Sequence, residues 1–158
     1  MIKTVIISVG KLKEKATASL IAEYEKRLSK YTDFSHIEIN DLALPDNPSQ
    51  KEIDLVLQKE GANILKAIPK NMVKAAMTID GTQHTSEAFA ELIEKNKGNG
   101  GTVFIIGSSH GLCQQVVNVC DVKISLSKMT FPHNLARLIL TEQIYRANKI
   151  LANENYHK

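Results

Sequence analysis

Tryptophan is absent from this chain of 158 residues, aromatic residues of all kinds make up only 5%, and there are two cysteines and four prolines. With so few rings, the core must be built from Ile, Leu, Val and Ala. Cys113 and Cys120 form no CxxC pair and have no histidine at ligand spacing beside them. That pattern excludes the usual zinc frameworks, and no metal is expected. The two cysteines read as free, buried thiols of a reducing compartment. No apolar run is long enough to span a bilayer. The opening MIKTVIISVGK has too short an apolar stretch for a secretory signal and lacks a cleavage pattern. A cytoplasmic protein without a membrane partner is expected.

Phosphate-binding signatures are missing as well. GxxxxGK[ST] does not occur, and GxGxxG does not either, because Gly98, Gly100 and Gly101 precede a strand instead of following one. Gly107 and Gly111 do follow a strand, but with three residues between them. No GxSxG elbow surrounds Ser108 and Ser109, although His110 is adjacent. A glycine-bearing loop at a strand end, without a pyrophosphate cradle, suits a nucleoside that carries no phosphate.

What is present is an ordinary globular balance: 43% hydrophobic, 23% charged, a net charge of +3 and a pI near 8.8. The length suits one domain over residues 1–158. Basic residues crowd the start, with Lys11, Lys13, Lys15, Lys26, Arg27 and Lys30. They form either a solvated helix face or a face for phosphates, and the mild charge permits a nucleic-acid partner without requiring one.

Hydrophobic periodicity divides the chain into alternating strands and helices. Ile2–Val9 is β-branched and buried in character. A helix follows from Glu14 to Tyr31, with Ala16, Leu20, Ile21, Tyr24 and Leu28 on one stripe. A second strand covers Phe34–Ile39, with Phe34, Ile37 and Ile39 inward. After the proline-bearing DLALPDNPSQ loop, Ser49 or Asn47 caps a helix that runs to Lys66, with Gly61 weakening its middle. Met72–Ile79 is a third strand, closed by an Asp80-Gly81 turn. Thr85 caps a third helix that ends at the KGNGG segment, where glycine suits a left-handed cap.

Thr102–Ile106 is a fourth strand, Leu112–Val119 a short helix and Val122–Leu126 a fifth strand. A long helix begins at Pro132 and reaches Ala152. It carries two apolar stripes, Leu135/Leu138/Ile139 and Ala136/Leu140/Ile144/Ala147/Leu151, so one packs on the sheet and the other wants a partner such as a second copy. The order predicts an α/β fold: a mostly parallel sheet with helices on both faces, and ligands beyond the carboxyl ends of the strands.

Four segments also carry a family resemblance: ISVGKLKE, IAEYEKRLSKY, the KEG ending at Gly61, and above all the tail LSKMTFPHNLARLILTEQIYRANKILANENYHK. Over essentially the whole chain, the sequence resembles the bacterial large-subunit ribosomal RNA pseudouridine N3-methyltransferases of the SPOUT superfamily. The resemblance implies a C-terminal trefoil knot, a homodimer and S-adenosyl-L-methionine as methyl donor. The implied reaction is methylation of N3 of a pseudouridine in 23S ribosomal RNA within the assembled ribosome. The implied cofactor positions are Met77, Gly107 and the loop Leu126, Ser127, Lys128, Met129, Thr130 and Phe131. Relatives usually carry Gly-Gly where this chain has Gly107-Ser108, so Ser108 would be strained if that position needs a positive φ. A non-catalytic ribosome- or RNA-binding protein retaining the knotted fold is the alternative. The alternating order alone also permits a flavodoxin-like domain.

The acceptor nitrogen must lose a proton, so a base or an anion-stabilising cation is needed beside it. Candidates are His133, Arg137, Tyr156, His157 and Lys158, and the resemblance favours the Tyr156–His157–Lys158 end. His157 has a suitable reference pKa, though a histidine so near a terminus is commonly a frayed surface residue. Arg137 otherwise reads as an ordinary surface ion pair, and His133 as a helix cap.

Overall fold

A computed structural model describes residues 1–158. Five strands form one sheet: β1 (Ile2–Val9), β2 (Thr32–Ile39), β3 (Val73–Gln83), β4 (Thr102–Ile106) and β5 (Val122–Ser125). Their order is β2-β1-β4-β3-β5, and every pairing is parallel. Five α-helices connect and follow them: α1 (Lys15–Leu28), α2 (Gln50–Ala67), α3 (Ser86–Asn96), α4 (Gln114–Val119) and α5 (His133–Leu151).

The period-2 geometry of a strand divides the core into two layers. Val5, Ile7 and Val9 of β1, with Val103 and Ile105 of β4, join Ile64, Cys113 and Val116 under α2 and α4. Ile6, Phe104 and Ile106 point the other way, toward Leu28, Phe89, Ile93, Leu140 and Ile144 under α1, α3 and α5. Both faces of the sheet are therefore covered, as the alternating order predicts.

Local chemistry explains the helix boundaries. Ser49, not Asn47, starts α2: its side chain accepts the Glu52 N–H while the Glu52 carboxylate accepts the Ser49 N–H, a reciprocal capping box. Thr85 caps α3 by accepting the Ala88 N–H. Gly100 and Gly101 take φ values of 83° and 94° where the chain turns into β4. Gly61 weakens α2 for a packing reason, because a Cβ there would stand 2.2 Å from the Cys113 sulfur.

Four expectations need correcting. The Asp80-Gly81 turn does not end β3. Pairing with β5 breaks after Met77 and resumes at Thr82, so residues 78–81 bulge and the strand continues to Gln83. Gly81 suits this close approach, since a Cβ would lie 2.6 Å from the Ile124 backbone. α1 is shorter than the expected Glu14–Tyr31, starting after Glu14 and ending at Leu28, the last residue of its apolar stripe. Pro132 occupies the cap position before α5 instead of its first turn, and no side chain caps that end, His133 included. Cys113 is buried, but Cys120 is only half-buried; its thiol donates to the Val116 carbonyl at 3.2 Å.

The two stripes of α5 differ as anticipated. Leu140, Ile144 and Ala147 are fully buried, whereas Leu135 is 41% exposed. No helix is long and apolar enough to cross a membrane.

Candidate active site

The carboxyl ends of β3, β4 and β5 open into a cleft of about 600 Å³, including its mouth. Met77, Ile106 and Ile124 form its floor, the 107–111 and 126–131 loops its walls, and His133 and Ala136 of α5 its far side. All the expected cofactor positions except Lys128 line it. Lys128 lies in the same loop with an exposed side chain. Sequence reasoning missed Thr78, Ile79 and Ser125, whereas His133, a candidate for the acceptor chemistry, does line the cleft. Thr78 and Ile79 come in because the β3 bulge turns them toward the cleft, and no local pattern in the chain announces that bulge.

Backbone geometry shapes both loops. The Gly111 N–H donates to the Ser108 carbonyl at 2.9 Å, closing a tight turn. A Cβ on Gly107 would lie 2.2 Å from the Gly111 oxygen, so no side chain fits there. Gly111 has a φ of 85°, whereas Ser108 is not among the residues with positive φ. The strain anticipated at Ser108 is therefore absent, and with it the main reason to read the chain as a non-catalytic binder. In the second loop the Ser125 hydroxyl donates to the Ser127 carbonyl at 2.9 Å, and the Ser127 hydroxyl accepts the Met129 N–H at 3.0 Å.

No lysine, arginine or carboxylate lines the cleft. Half its lining is apolar, and its polar groups are backbone, hydroxyls and one imidazole. Thr78 Oγ1 is buried in the wall without a well-formed hydrogen bond, although the Asp80 carboxyl is close to it. This donor set can hydrogen-bond a nucleoside through its hydroxyls and backbone groups and enclose apolar surface, with no side-chain charge to pair with an ionic group. It offers nothing to a phosphate.

The other residues expected to handle the acceptor stand apart from this cleft. Arg137 is not a surface ion pair: it is only 6% exposed. Its Nη1 donates to Glu38 at 2.9 Å and its Nη2 to His36 Nδ1 at 2.8 Å, with Glu25 at 3.9 Å. Because the guanidinium can only donate, His36 Nδ1 is the acceptor, and its Nε2–H donates to the Ser8 hydroxyl at 2.8 Å. Burial, with the Arg137 charge second, pushes His36 down to about 4, so it is neutral near pH 7. Burial pushes the Glu25 carboxyl up, against the opposing pull of Arg137. Only Arg137 Nε is left without a partner.

The tail is ordered and folds back on its own protomer. The Tyr156 ring packs edge-on against Tyr145 at 4.9 Å, and its hydroxyl donates to Glu142 at 3.0 Å. Arg146 stacks over the same ring at 4.8 Å and also binds Glu142. Arg146 Nη1 donates to His157 Nδ1 at 3.2 Å, and His157 Nε2 donates to Glu87 at 2.8 Å. His157 is therefore held, not frayed. Burial, aided by hydrogen bonds to Tyr24 and Glu142, pushes the Tyr156 phenol up, which makes it a poor source of phenolate. Neither residue lines the cleft of its own protomer. No group of three or more His, Cys, Asp or Glu side chains is placed to hold a metal ion.

A covered parallel sheet with a cleft at its carboxyl edge is the arrangement of α/β proteins that bind a ligand beyond their strand ends. The family described as "Predicted SPOUT methyltransferase" matches residues 2–157, and the chain belongs to that family. It is 50% identical over 155 residues to the ribosomal RNA large subunit methyltransferase H of Clostridium botulinum (strain Hall), covering 97% of this chain and 98% of that one. Identity to the protein of the same name from Clostridium novyi (strain NT) is 49%, with the same coverage. Among solved structures, TrmJ from Z. mobilis ZM4 shares the fold at a TM-score of 0.54 and 15% identity, covering 93% of this chain and 70% of that one. A probable methylase family protein from Haemophilus influenzae Rd KW20 does so at 0.53 and 12%, covering 99% and 70%.

Proposed function

We propose that this chain, as one domain over 1–158 with a trefoil knot in its last third, is a homodimeric, cytoplasmic methyltransferase. It transfers the methyl group of S-adenosyl-L-methionine to N3 of a pseudouridine in 23S ribosomal RNA of the large subunit, on the assembled ribosome. The observation that carries this reading is the cleft: its loops gather Met77, Gly107 and residues 126–131, and nothing charged lines it. Near-full-length identity to relatives named for large-subunit ribosomal RNA methylation supports the substrate class. The half-exposed Leu135 stripe beside the cleft supports a second copy packing there.

When bound, the cofactor supplies an electrophilic methyl group on a sulfonium. The chain's own part is mainly positioning. The 107–111 and 126–131 backbones would hold the nucleoside, and the apolar floor would exclude water from the methyl group. The acceptor N–H must lose its proton, and two imidazoles are candidates to take it: His133, which lines the cleft, and His157 of the tail. His157 can take a proton only once its pairing opens, because its Nδ1 accepts from Arg146 and its Nε2–H is given to Glu87. In a dimer the Tyr156–His157 tail would serve the partner's cleft. Arg137 is too enclosed to grip a phosphate unless its network opens, so its expected role is to fix α5, which lines the cleft one turn away at His133.

The test is methyl incorporation from labelled cofactor into intact ribosomes lacking the modification, with mass spectrometry of the 23S RNA. A methyl group on N3 of a single pseudouridine is expected; incorporation at a different base, or none, overturns the assignment.

A further inference from the structure

Glu60 is the most deeply buried carboxylate of the chain, 3% exposed on α2 in a helix otherwise facing solvent on several sides. Its position is set by Gly61, which lets α2 approach Cys113 more closely than any side chain would allow. The carboxyl consequently sits beneath two loops at the carboxyl end of the sheet. Glu60 Oε2 accepts the Leu42 N–H at 3.3 Å, from the loop after β2. The Ser108 hydroxyl lies beside the same carboxyl, from the loop that walls the cleft. Ser108 Oγ already accepts the His110 N–H at 3.4 Å, so its own proton is free to be donated. Glu60 Oε1 is buried with no partner of good geometry, the kind of vacancy that a small turn of the Ser108 hydroxyl fills.

We infer that Glu60 is a positioning residue for the cofactor cleft: its buried carboxyl latches the Gly107–Gly111 loop to α2 through the Ser108 hydroxyl. The inference rests on reading that cleft as the cofactor site. Burial pushes the Glu60 carboxyl up, with Asp41 adding to the rise and Leu42, Ser108 and His110 opposing it. Protonation does not break the latch, because the neutral acid keeps a carbonyl oxygen that accepts the same hydroxyl. Glutamine keeps that oxygen too; alanine does not.

The experiment compares Glu60→Ala, Glu60→Gln, Ser108→Ala and the double alanine variant, by hydrogen exchange of the 107–112 amides and by calorimetry with S-adenosyl-L-methionine. The two single alanine variants are expected to speed exchange of this loop and to weaken binding about tenfold, the cost of one lost hydrogen bond to a buried partner. Glu60→Gln is expected to match the native chain in both readouts, and the double variant to be no worse than either single one. Native loop exchange and affinity in Ser108→Ala, a Glu60→Gln variant as impaired as Glu60→Ala, or additive losses would overturn the latch. If the native chain itself shows no binding heat, the cofactor reading fails, while the exchange measurement still decides the latch.

Discussion

Helix α5 borders two regions built on opposite principles. At its start, His133 and Ala136 face a cleft that holds no carboxylate or cationic amine and leaves polar groups open. Farther along, Arg137, Glu142 and Arg146 are the centres of networks in which nearly every charge is answered: Arg137 by Glu38, His36 and Glu25, and Arg146 by Glu142 and His157. At the cleft, Thr78 Oγ1 is buried without a hydrogen bond of good geometry. The satisfied networks hold the protein's own parts in place, because an unpaired buried charge is too costly to keep.

The sharpest break of this contrast is at the cleft wall. Gly107→Ala forces a Cβ into the space of the Gly111 carbonyl, 2.2 Å away. Cofactor affinity should fall about 100-fold, or ~3 kcal/mol, measured by calorimetry. Retained affinity would show that the loop is not the cofactor wall. On the network side, Arg137→Met should lower the unfolding free energy by about 2–3 kcal/mol by denaturant titration, because it leaves Glu38 and His36 without their donor. Any folded Arg137→Met protein should still bind cofactor; loss of binding in a fully folded variant would merge the two regions.

Removing Tyr156–Lys158 tests the tail. Methyl incorporation into ribosomes should drop at least tenfold, about 1.4 kcal/mol of barrier, with cofactor affinity unchanged. Undiminished turnover in intact dimers would rule the tail out of the chemistry.

His36 gives a smaller, pH-dependent effect. Its folded pKa of about 4 lies below the ordinary value of 6.5, so its contribution to stability is complete above that value. As pH falls from 6.5 toward 4, the unfolded chain takes up the proton first, and this contribution is lost. Allowing for partial exposure, the native chain should lose about 1–2 kcal/mol more than His36→Gln over that interval. Parallel stability curves for the two proteins would contradict the network as drawn. The smallest effect belongs to Lys128→Ala. With the side chain outside the cleft, cofactor affinity should stay within about twofold.

The same division separates what could be read along the chain from what could not. The β-branched apolar runs of β1 and β4, the Ser49–Glu52 capping box, the Thr85 cap and the glycines before β4 depend on neighbours within a few residues, so local pattern reveals them. That the expected cofactor positions share one cleft was legible only by resemblance, since Met77 and Phe131 meet through strand order. The β3 bulge escaped prediction because Asp80-Gly81 is good turn chemistry that pairing with β5 overrides. Arg137 escaped because an arginine one turn into an amphipathic helix looks solvent-facing until β2 supplies Glu38 and His36. Glu60 entered only through the KEG resemblance, and its burial comes from packing that the local sequence does not show.

By itself, then, the sequence determined the alternating elements, the two-sided covering of the sheet and the absence of a phosphate cradle. These follow from side-chain period, capping and the glycine spacing of short segments. The tertiary structure alone decided which strand ends share a cleft, which charges are buried and satisfied, and that Ser108 sits unstrained beside Glu60. Those properties depend on residues far apart in the chain, brought together by the β2-β1-β4-β3-β5 order.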